Sequence, residues 1–315
     1  MKNNLMITGG LGYVGSFTSK EFLRLYKTKP LSIDNLSRGN SFAKKYCRNE
    51  KVNITNKGIA KIIKKNKINS VLHLAAYTCV RESIKKKKKY HINNYESQIK
   101  FINLLKKNGV NFFIFSSSLS IFDKNKIKKR PSPYTKYKAE IEAYLKKMSG
   151  PKFKVVILRY PNIIGADEKG IIGEKNKYIT RIVPSFHKNM IQNKKNILFY
   201  SFKKKKFPVR NYLHVNDIAK LNVKLFKNIQ KIKKNFTTFN ILNKNFYSNF
   251  DVLKILSKIN NVKLNFILKK INSKESIKPT YAIKDDIFKL LKFEPSLISL
   301  ENILKTNIKW FKKIY

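Results

Sequence analysis

Short apolar runs alternate with amphipathic stretches through the first half of the chain. Leu5-Met6-Ile7 reads as a buried strand, glycines follow, and Phe17, Phe22, Leu23 and Tyr26 then recur at helical spacing between Ser16 and Tyr26. Leu31-Ser32-Ile33 closes this unit as a second strand. Further apolar strands are predicted at Val71 to Leu74, Phe112 to Phe115 and Val155 to Leu158, with helical patterns at Ile59 to Lys65, Asn94 to Lys107 and Tyr134 to Lys147. Alternating strands and helices imply an α/β fold on a doubly wound parallel sheet. After about Arg159 the rhythm loosens, broken by Pro161, Gly165, Gly170, Gly173, Pro184 and Pro208. A first domain is therefore predicted over residues 1–160 and a smaller, mixed α/β lobe over 161–315, with segments of the second returning to the first. No repeat of fixed period is visible.

At 315 residues the chain can form one large α/β domain, or a domain of ordinary size with a second lobe. Hydrophobic content of 42% and charged content of 28% argue against disorder. Charge changes the picture more, because 69 Lys and Arg face only 18 Asp and Glu, for a formal net charge of +51. Such a balance ordinarily points to nucleic acid, acidic membranes or other polyanions. Here the excess is mostly Lys, spread along the whole chain with abundant Asn, Ile and Phe and little Gly, which reads as drift toward AT-rich codons. The runs Lys85 to Lys89 and Lys203 to Lys206 separate apolar segments and suit solvated loops or helix faces. Non-specific adhesion to nucleic acid is expected whatever the origin of the charge.

Cys47 and Cys79 are far apart and have no metal-ligand spacing, so two reduced thiols and no metal site are expected. The N-terminal residues do not have the pattern of a signal peptide, and no uncharged apolar run approaches the ~18–20 residues that span a bilayer. A cytoplasmic protein with no membrane partner is expected.

Candidate chemistry begins at Thr8-Gly9-Gly10-Leu11-Gly12-Tyr13-Val14-Gly15, between the first strand and the first helix. In that context Gly9 permits a tight turn, Gly12 lets backbone approach a pyrophosphate, and Gly15 allows close packing of helix and strand, as in the Rossmann arrangement. The phosphates would rest on N–H groups at the positive end of the helix. Asp34 follows the second strand, at the ~20-residue offset of a carboxylate that bonds the adenosine ribose hydroxyls. It would repel a 2′-phosphate, which favours NAD over NADP, while Arg38 nearby keeps NADP open.

Ser116-Ser117-Ser118 ends a predicted strand and places hydroxyls at the sheet edge where ligands of such folds bind. In Ser132-Pro133-Tyr134-Thr135-Lys136-Tyr137-Lys138, Ser132 suits a helix N-cap and Pro133 the first helical position. Tyr134 and Lys138 then share one helix face, with phenol and ammonium side by side. A tyrosine working as a base near neutrality needs its pKa lowered from ~10 by about three units, or about 4 kcal/mol. One positive charge at ~4 Å and an effective dielectric of ~20 supplies about that much. Tyr134 is thus a candidate general base, Lys138 its electrostatic partner, and Ser118 the hydroxyl that orients or relays the proton.

With these residues assembled, the sequence resembles the extended short-chain dehydrogenase family over nearly its whole length, and within it the nucleotide-sugar 4-epimerases. TGGLGYVGS from Thr8, DNLSRGN from Asp34, HLAA from His73, FIFSSS from Phe113 and SPYTKYK from Ser132 carry the likeness. RYPNIIGA from Arg159 and VRNYLHVNDIA from Val209 extend it into the second lobe. The resemblance implies an NAD site lined by Gly9, Gly12, Tyr13, Val14, Gly15, Asp34, Asn35, Ala75, Ala76, Asn94, Tyr134 and Lys138. It implies a UDP-sugar substrate met by Ser118, Tyr134 and Asn162, its diphosphate held by Arg210 and Lys274 and its uracil stacked on Tyr200. Tyr281 falls where bulk excludes an N-acetyl group, which favours UDP-glucose and UDP-galactose.

The reaction so implied is transient oxidation at sugar C4, rotation of the keto sugar, and reduction from the other face, in a homodimer. Asn53, Arg181 and Asn211 depart from the family pattern, in which an acid, an amide and Asp respectively are usual. The rival readings are a dehydratase, a decarboxylase or another epimerase on the same scaffold, and a non-catalytic polyanion binder. Leu119 and Ser120 after Ser118 leave out the acid that a dehydratase needs to expel water.

Overall fold

The structure is a computed structural model that describes residues 4–122, 132–175, 181–201, 206–270 and 286–315. In chain order the first half forms β1 (Leu5–Thr8), α1 (Tyr13–Tyr26), β2 (Leu31–Ile33), β3 (Arg48–Glu50), α2 (Ile59–Lys65), β4 (Ser70–His73), α3 (Val80–Lys85) and α4 (Lys87–His91). It continues with α5 (Ser97–Lys107), β5 (Phe112–Ser118), α6 (Pro133–Met148) and β6 (Lys154–Tyr160). The second half forms β7 (Asn162–Ile164), α7 (Ile182–Ile191), β8 (Asn196–Tyr200), β9 (Val209–His214), α8 (Val215–Lys227) and β10 (Phe236–Asn240). It ends with β11 (Phe246–Ser248), α9 (Asn249–Ile259), β12 (Phe266–Lys270), α10 (Asp286–Leu291) and α11 (Leu300–Ile314).

Seven strands form one parallel sheet in the order β10-β6-β5-β4-β1-β2-β3. This is the doubly wound Rossmann arrangement, and the order reverses between β1 and β4. Alternating side chains divide each strand between two cores. Leu5, Ile7, Leu72, Ile114, Val156 and Leu158 face one layer, where Phe17 and Phe22 of α1 pack with Ile218 and Leu221 of α8. Met6, Ile33, Val71, Phe113, Phe115 and Val155 face the other, against α2, α5 and α6. Burial on both faces explains why these strands read as unbroken apolar runs.

The smaller sheets, β11-β9-β7 and β12-β8, belong to the second lobe. Its core gathers Ile164, Leu198, Tyr212, Leu256, Ile303 and Trp310. After β9, α8 packs on α1, and β10 then pairs with β6 in the central sheet.

Several elements differ from the expectation. The first helix begins at Tyr13, three residues ahead of its apolar pattern, because Gly12 can serve as N-cap without a side chain. Edge strand β3 is polar and half exposed, so hydrophobic alternation leaves no trace of it. The helix expected from Asn94 opens as a π-helical turn, Ile92–Glu96, before α5. In the run from Lys85 to Lys89, Lys85 to Lys88 are exposed, as expected, whereas Lys89 is half-buried against Glu82 and Tyr77; Lys203 to Lys205 of the other run lie outside the described residues.

Trp310 ties the C-terminal helix to the loop that enters the second lobe. Its ring lies against Gly173, where an added Cβ would be 2.5 Å from Cδ1, and its Nε1 donates to the Glu174 carbonyl at 2.8 Å. Trp310→Ala is expected to lower the unfolding free energy by about 3–5 kcal/mol, read as a drop in the urea midpoint.

Candidate active site

A cavity of about 790 Å³ lies along the carboxyl edge of the central sheet and continues beneath the second lobe. It sits at the switch point between β1 and β4, the usual ligand position in such sheets. At its inner end Gly9 has φ of 69°, and an added Cβ would stand 3.0 Å from the Ala75 nitrogen. A Cβ on Gly15 would stand 2.0 Å from the Gly9 carbonyl oxygen. The close contact expected of Gly15 is thus with the turn and not with the strand. Gly12 caps α1 without a side-chain acceptor, which leaves the first-turn N–H groups near Tyr13 and Val14 for an anion at the positive helix end.

Asp34 lines the same end. Its Oδ2 accepts from the Leu11 N–H at 3.0 Å and its Oδ1 from the Leu36 N–H at 2.8 Å. Burial raises its pKa, and the backbone donors counter that only in part. Asn35 shapes the following turn by accepting from the Ser37 N–H at 3.0 Å. Ala75 and Ala76 line the cavity at the end of β4, small enough to leave room beside the glycine turn.

Asn94 does not line the cavity. Its side chain is buried, with Oδ1 accepting from the Tyr77 N–H at 3.0 Å and Nδ2 donating to the Tyr77 carbonyl at 2.7 Å. It clasps the backbone of the loop that follows Ala76, and its neighbour Asn93 faces the cavity instead.

Ser118, Tyr134 and Lys138 converge at the middle of the cavity. Ser132 caps α6 by accepting from the Thr135 N–H at 3.3 Å, with Pro133 in the first turn, so the predicted helix start is realised. The electrostatics differ from the expectation. Lys138 shares a helix face with Tyr134, but its Nζ donates to the Ser116 carbonyl and lies 4.5 Å from the centroid of Phe115. Burial lowers the Lys138 pKa to about 7, with Glu142 opposing. Burial raises that of Tyr134, and the groups pulling it back are the Ser118 hydroxyl and the Arg181 guanidinium. Packed between a strand end and an apolar ring, the ammonium is spent on a carbonyl.

Arg181, named above only as a departure from the family pattern, is a site residue. It lines the cavity before α7, with Nη1 paired to Glu174 at 3.0 Å and Nη2 donating to the Ile163 carbonyl at 2.7 Å. Burial works against its charge, but Glu174 beside it raises its pKa. Tyr13 joins the two lobes here, donating its hydroxyl to the Gly165 carbonyl at 2.5 Å.

Asn162 and Arg210 also line the cavity. Asn162 Nδ2 donates to the Asn211 carbonyl at 3.4 Å, and Arg210 Nη1 to the Val209 carbonyl at 2.8 Å. Asn211, where the family pattern has Asp, donates to the carbonyls of Asn243 and Asn245 at 2.7 and 2.8 Å. A carboxylate could not make those two bonds.

Tyr200 lies away from the cavity, 4.9 Å from the ring of Phe207. Buried Leu198 sets the pleat of β8, so Phe199 turns to the cavity, with the Arg81 guanidinium 4.2 Å above its ring. Because Asn196-Ile197-Leu198-Phe199-Tyr200 is apolar at nearly every position, alternation could not choose between the two aromatics. Lys274 and Tyr281 lie outside the described residues. Among the described residues no cluster of His, Cys, Asp and Glu could hold a metal ion, and no helix is long and apolar enough to cross a membrane.

A switch-point cavity carrying a glycine turn at one end and a Ser-Tyr-Lys group at its centre defines the class: a doubly wound α/β protein of the extended short-chain dehydrogenase type. The chain belongs to the NAD dependent epimerase/dehydratase family, whose model matches residues 5–241. Over 290 residues it is 30% identical to the UDP-glucose 4-epimerase of Haemophilus influenzae, covering 84% of this chain and 85% of that protein. To the UDP-glucose 4-epimerase of Lactobacillus helveticus it is 26% identical over 330 residues, covering 98% and 97%. Its fold matches the crystal structure of UDP-glucose 4-epimerase from Stenotrophomonas maltophila with bound NAD and formylated UDP-arabinopyranose. There the TM-score is 0.88 at 20% identity, over 99% of each chain.

The buried ammonium gives a pH dependence with a definite sign. The Lys138 pKa is about 7 in the folded protein, against ~10.4 unfolded. Between these values the unfolded chain binds the extra proton, so the contribution of this group to stability rises with pH across that window. Urea unfolding at about pH 7 and about pH 9.5 is expected to show wild type gaining up to about 3 kcal/mol relative to Lys138→Met.

Proposed function

We propose that this chain is an NAD-dependent nucleotide-sugar 4-epimerase that interconverts UDP-glucose and UDP-galactose. The observation that carries the reading is the meeting of Ser118, Tyr134 and Lys138 in the cavity whose inner end holds the uncapped start of α1 and Asp34. The likeness to UDP-glucose 4-epimerases supports the choice of substrate.

The inner end fits a dinucleotide. The N–H groups of the first turn of α1 suit a pyrophosphate, Asp34 suits ribose hydroxyls, and the buried Ser117 Oγ at the cavity wall has no hydrogen-bond partner among the described residues. Bound in its oxidised form, NAD would supply the hydride acceptor for sugar C4 and a positive charge facing the phenol.

Tyr134 takes the proton of the sugar 4-hydroxyl, with Ser118 orienting that hydroxyl and stabilising the phenolate. Burial makes the phenolate costly, so the cations around it matter. Arg181, held in place by Glu174 and the Ile163 carbonyl, supplies one from the second lobe, while the Lys138 ammonium on the same helix face as Tyr134 is held by the Ser116 carbonyl. Arg210 holds the diphosphate, Asn162 reaches the nucleotide-sugar, and Phe199 takes the place expected of Tyr200 as platform for the uracil. A diphosphate gripped at one end leaves the keto sugar free to turn and present its other face.

Purified protein is expected to release NAD on denaturation and to convert UDP-galactose to UDP-glucose with no added reductant. Tyr134→Phe is expected to lower kcat by roughly 10²–10⁴-fold while NAD stays bound. Unchanged turnover in that variant would remove Tyr134 as the base, and a wild-type protein inert toward both sugars would remove the substrate assignment.

A further inference from the structure

Arg38 stands at the inner end of the cavity beside Asp34. In dinucleotide sites of this type the acid after the second strand binds a free 2′-hydroxyl, whereas an Arg nearby accommodates a 2′-phosphate. Both are present here, so the two residues alone leave the coenzyme ambiguous.

The geometry around Arg38 removes the ambiguity. Its Nη2 is paired with Glu82 of α3, and its guanidinium lies 4.5 Å from the centroid of the Tyr77 ring. Glu82 also accepts from Lys89 Nζ at 3.2 Å and from the Tyr90 hydroxyl at 3.0 Å. Lys89 Nζ lies over the same Tyr77 ring, at 4.4 Å. The charges of Asp34, Glu82, Arg38 and Lys89 sum to zero. Glu82 itself does not line the cavity.

We infer that Glu82 sets the coenzyme choice of this chain: by holding Arg38 against Tyr77 it withholds the guanidinium from a 2′-phosphate and leaves Asp34 to select the unphosphorylated dinucleotide. The inference rests on the dinucleotide reading of the cavity and names what determines its specificity. A 2′-phosphate adds close to two negative charges beside the Asp34 carboxylate. It would meet a fork whose charge-assisted bond points the other way. Glu82→Gln keeps the shape of the residue and its contact with Tyr90, removes one negative charge, and frees the fork to turn.

The test is exchange in a mixture of equal excess NAD+ and NADP+: wild type, Glu82→Gln, Arg38→Gln and the double variant are equilibrated, freed of unbound dinucleotide and denatured, and the ratio of the two dinucleotides released is measured, which requires no turnover. Wild type is expected to prefer NAD+, and Glu82→Gln to shift the ratio of affinities toward NADP+ by about tenfold. That gain is expected to vanish when Arg38→Gln is added, while Arg38→Gln alone is expected to leave the wild-type ratio nearly unchanged. An unchanged ratio in Glu82→Gln, a gain that persists without Arg38, or a loss of NADP+ affinity on Arg38→Gln alone would each overturn the inference. Wild-type protein that binds neither dinucleotide would overturn the dinucleotide reading and this inference with it.

Discussion

Parallel pairing imposes the constraint on which the rest of this structure depends. When seven strands run the same way, every one of them ends on the same edge of the sheet. Their carboxyl ends therefore share one cleft. Thr8 stands opposite Ile33 and His73, and Ser118 stands opposite Tyr160. The glycine turn, Asp34, the alanines after β4, the serines of β5 and the entry to the second lobe are brought together by register alone. Crossing helices cover both faces, so ligands are left only the edge, where the switch in strand order opens a gap.

Inside that gap charge is costly, and buried Lys138 and half-buried Arg181 meet the problem differently. The Lys138 ammonium has a carbonyl and an aromatic face for company, and its pKa falls to about 7. Arg181 has a carboxylate as well as a carbonyl, and its pKa rises. A guanidinium keeps its charge where an ammonium yields it, so the departure from the usual amide at position 181 puts a durable positive charge near Tyr134. The loop bearing Glu174 is in turn held by Trp310, which links the far C-terminal helix to the electrostatics of the centre.

Much of the fold was legible because a strand buried on both faces must be apolar throughout, and a helix buried on one must repeat at its own period. Glycines at one strand end and Ser132-Pro133 ahead of Tyr134 are local steric signals, readable without knowing what lies opposite. Edge strand β3 escaped notice because it buries little. Asn94, Phe199 and Arg181 could not be placed for a different reason. The clasp of Asn94 on Tyr77, the pleat of β8 and the pairing of Arg181 with Glu174 are each set by a partner that neighbouring sequence does not name.

The amino-acid sequence by itself determined the alternation of strands and helices, the turn that only glycine can make, and a Tyr and Lys one helical turn apart, since all of these follow from short-range sterics and periodic burial. Tertiary structure alone decided which of two adjacent aromatics faces the cavity, where the Lys138 ammonium is spent, and that Arg38 pairs with Glu82. Those outcomes depend on distances between segments far apart in the chain. Desolvation and ion pairing take their size from such distances, so chain order cannot fix them.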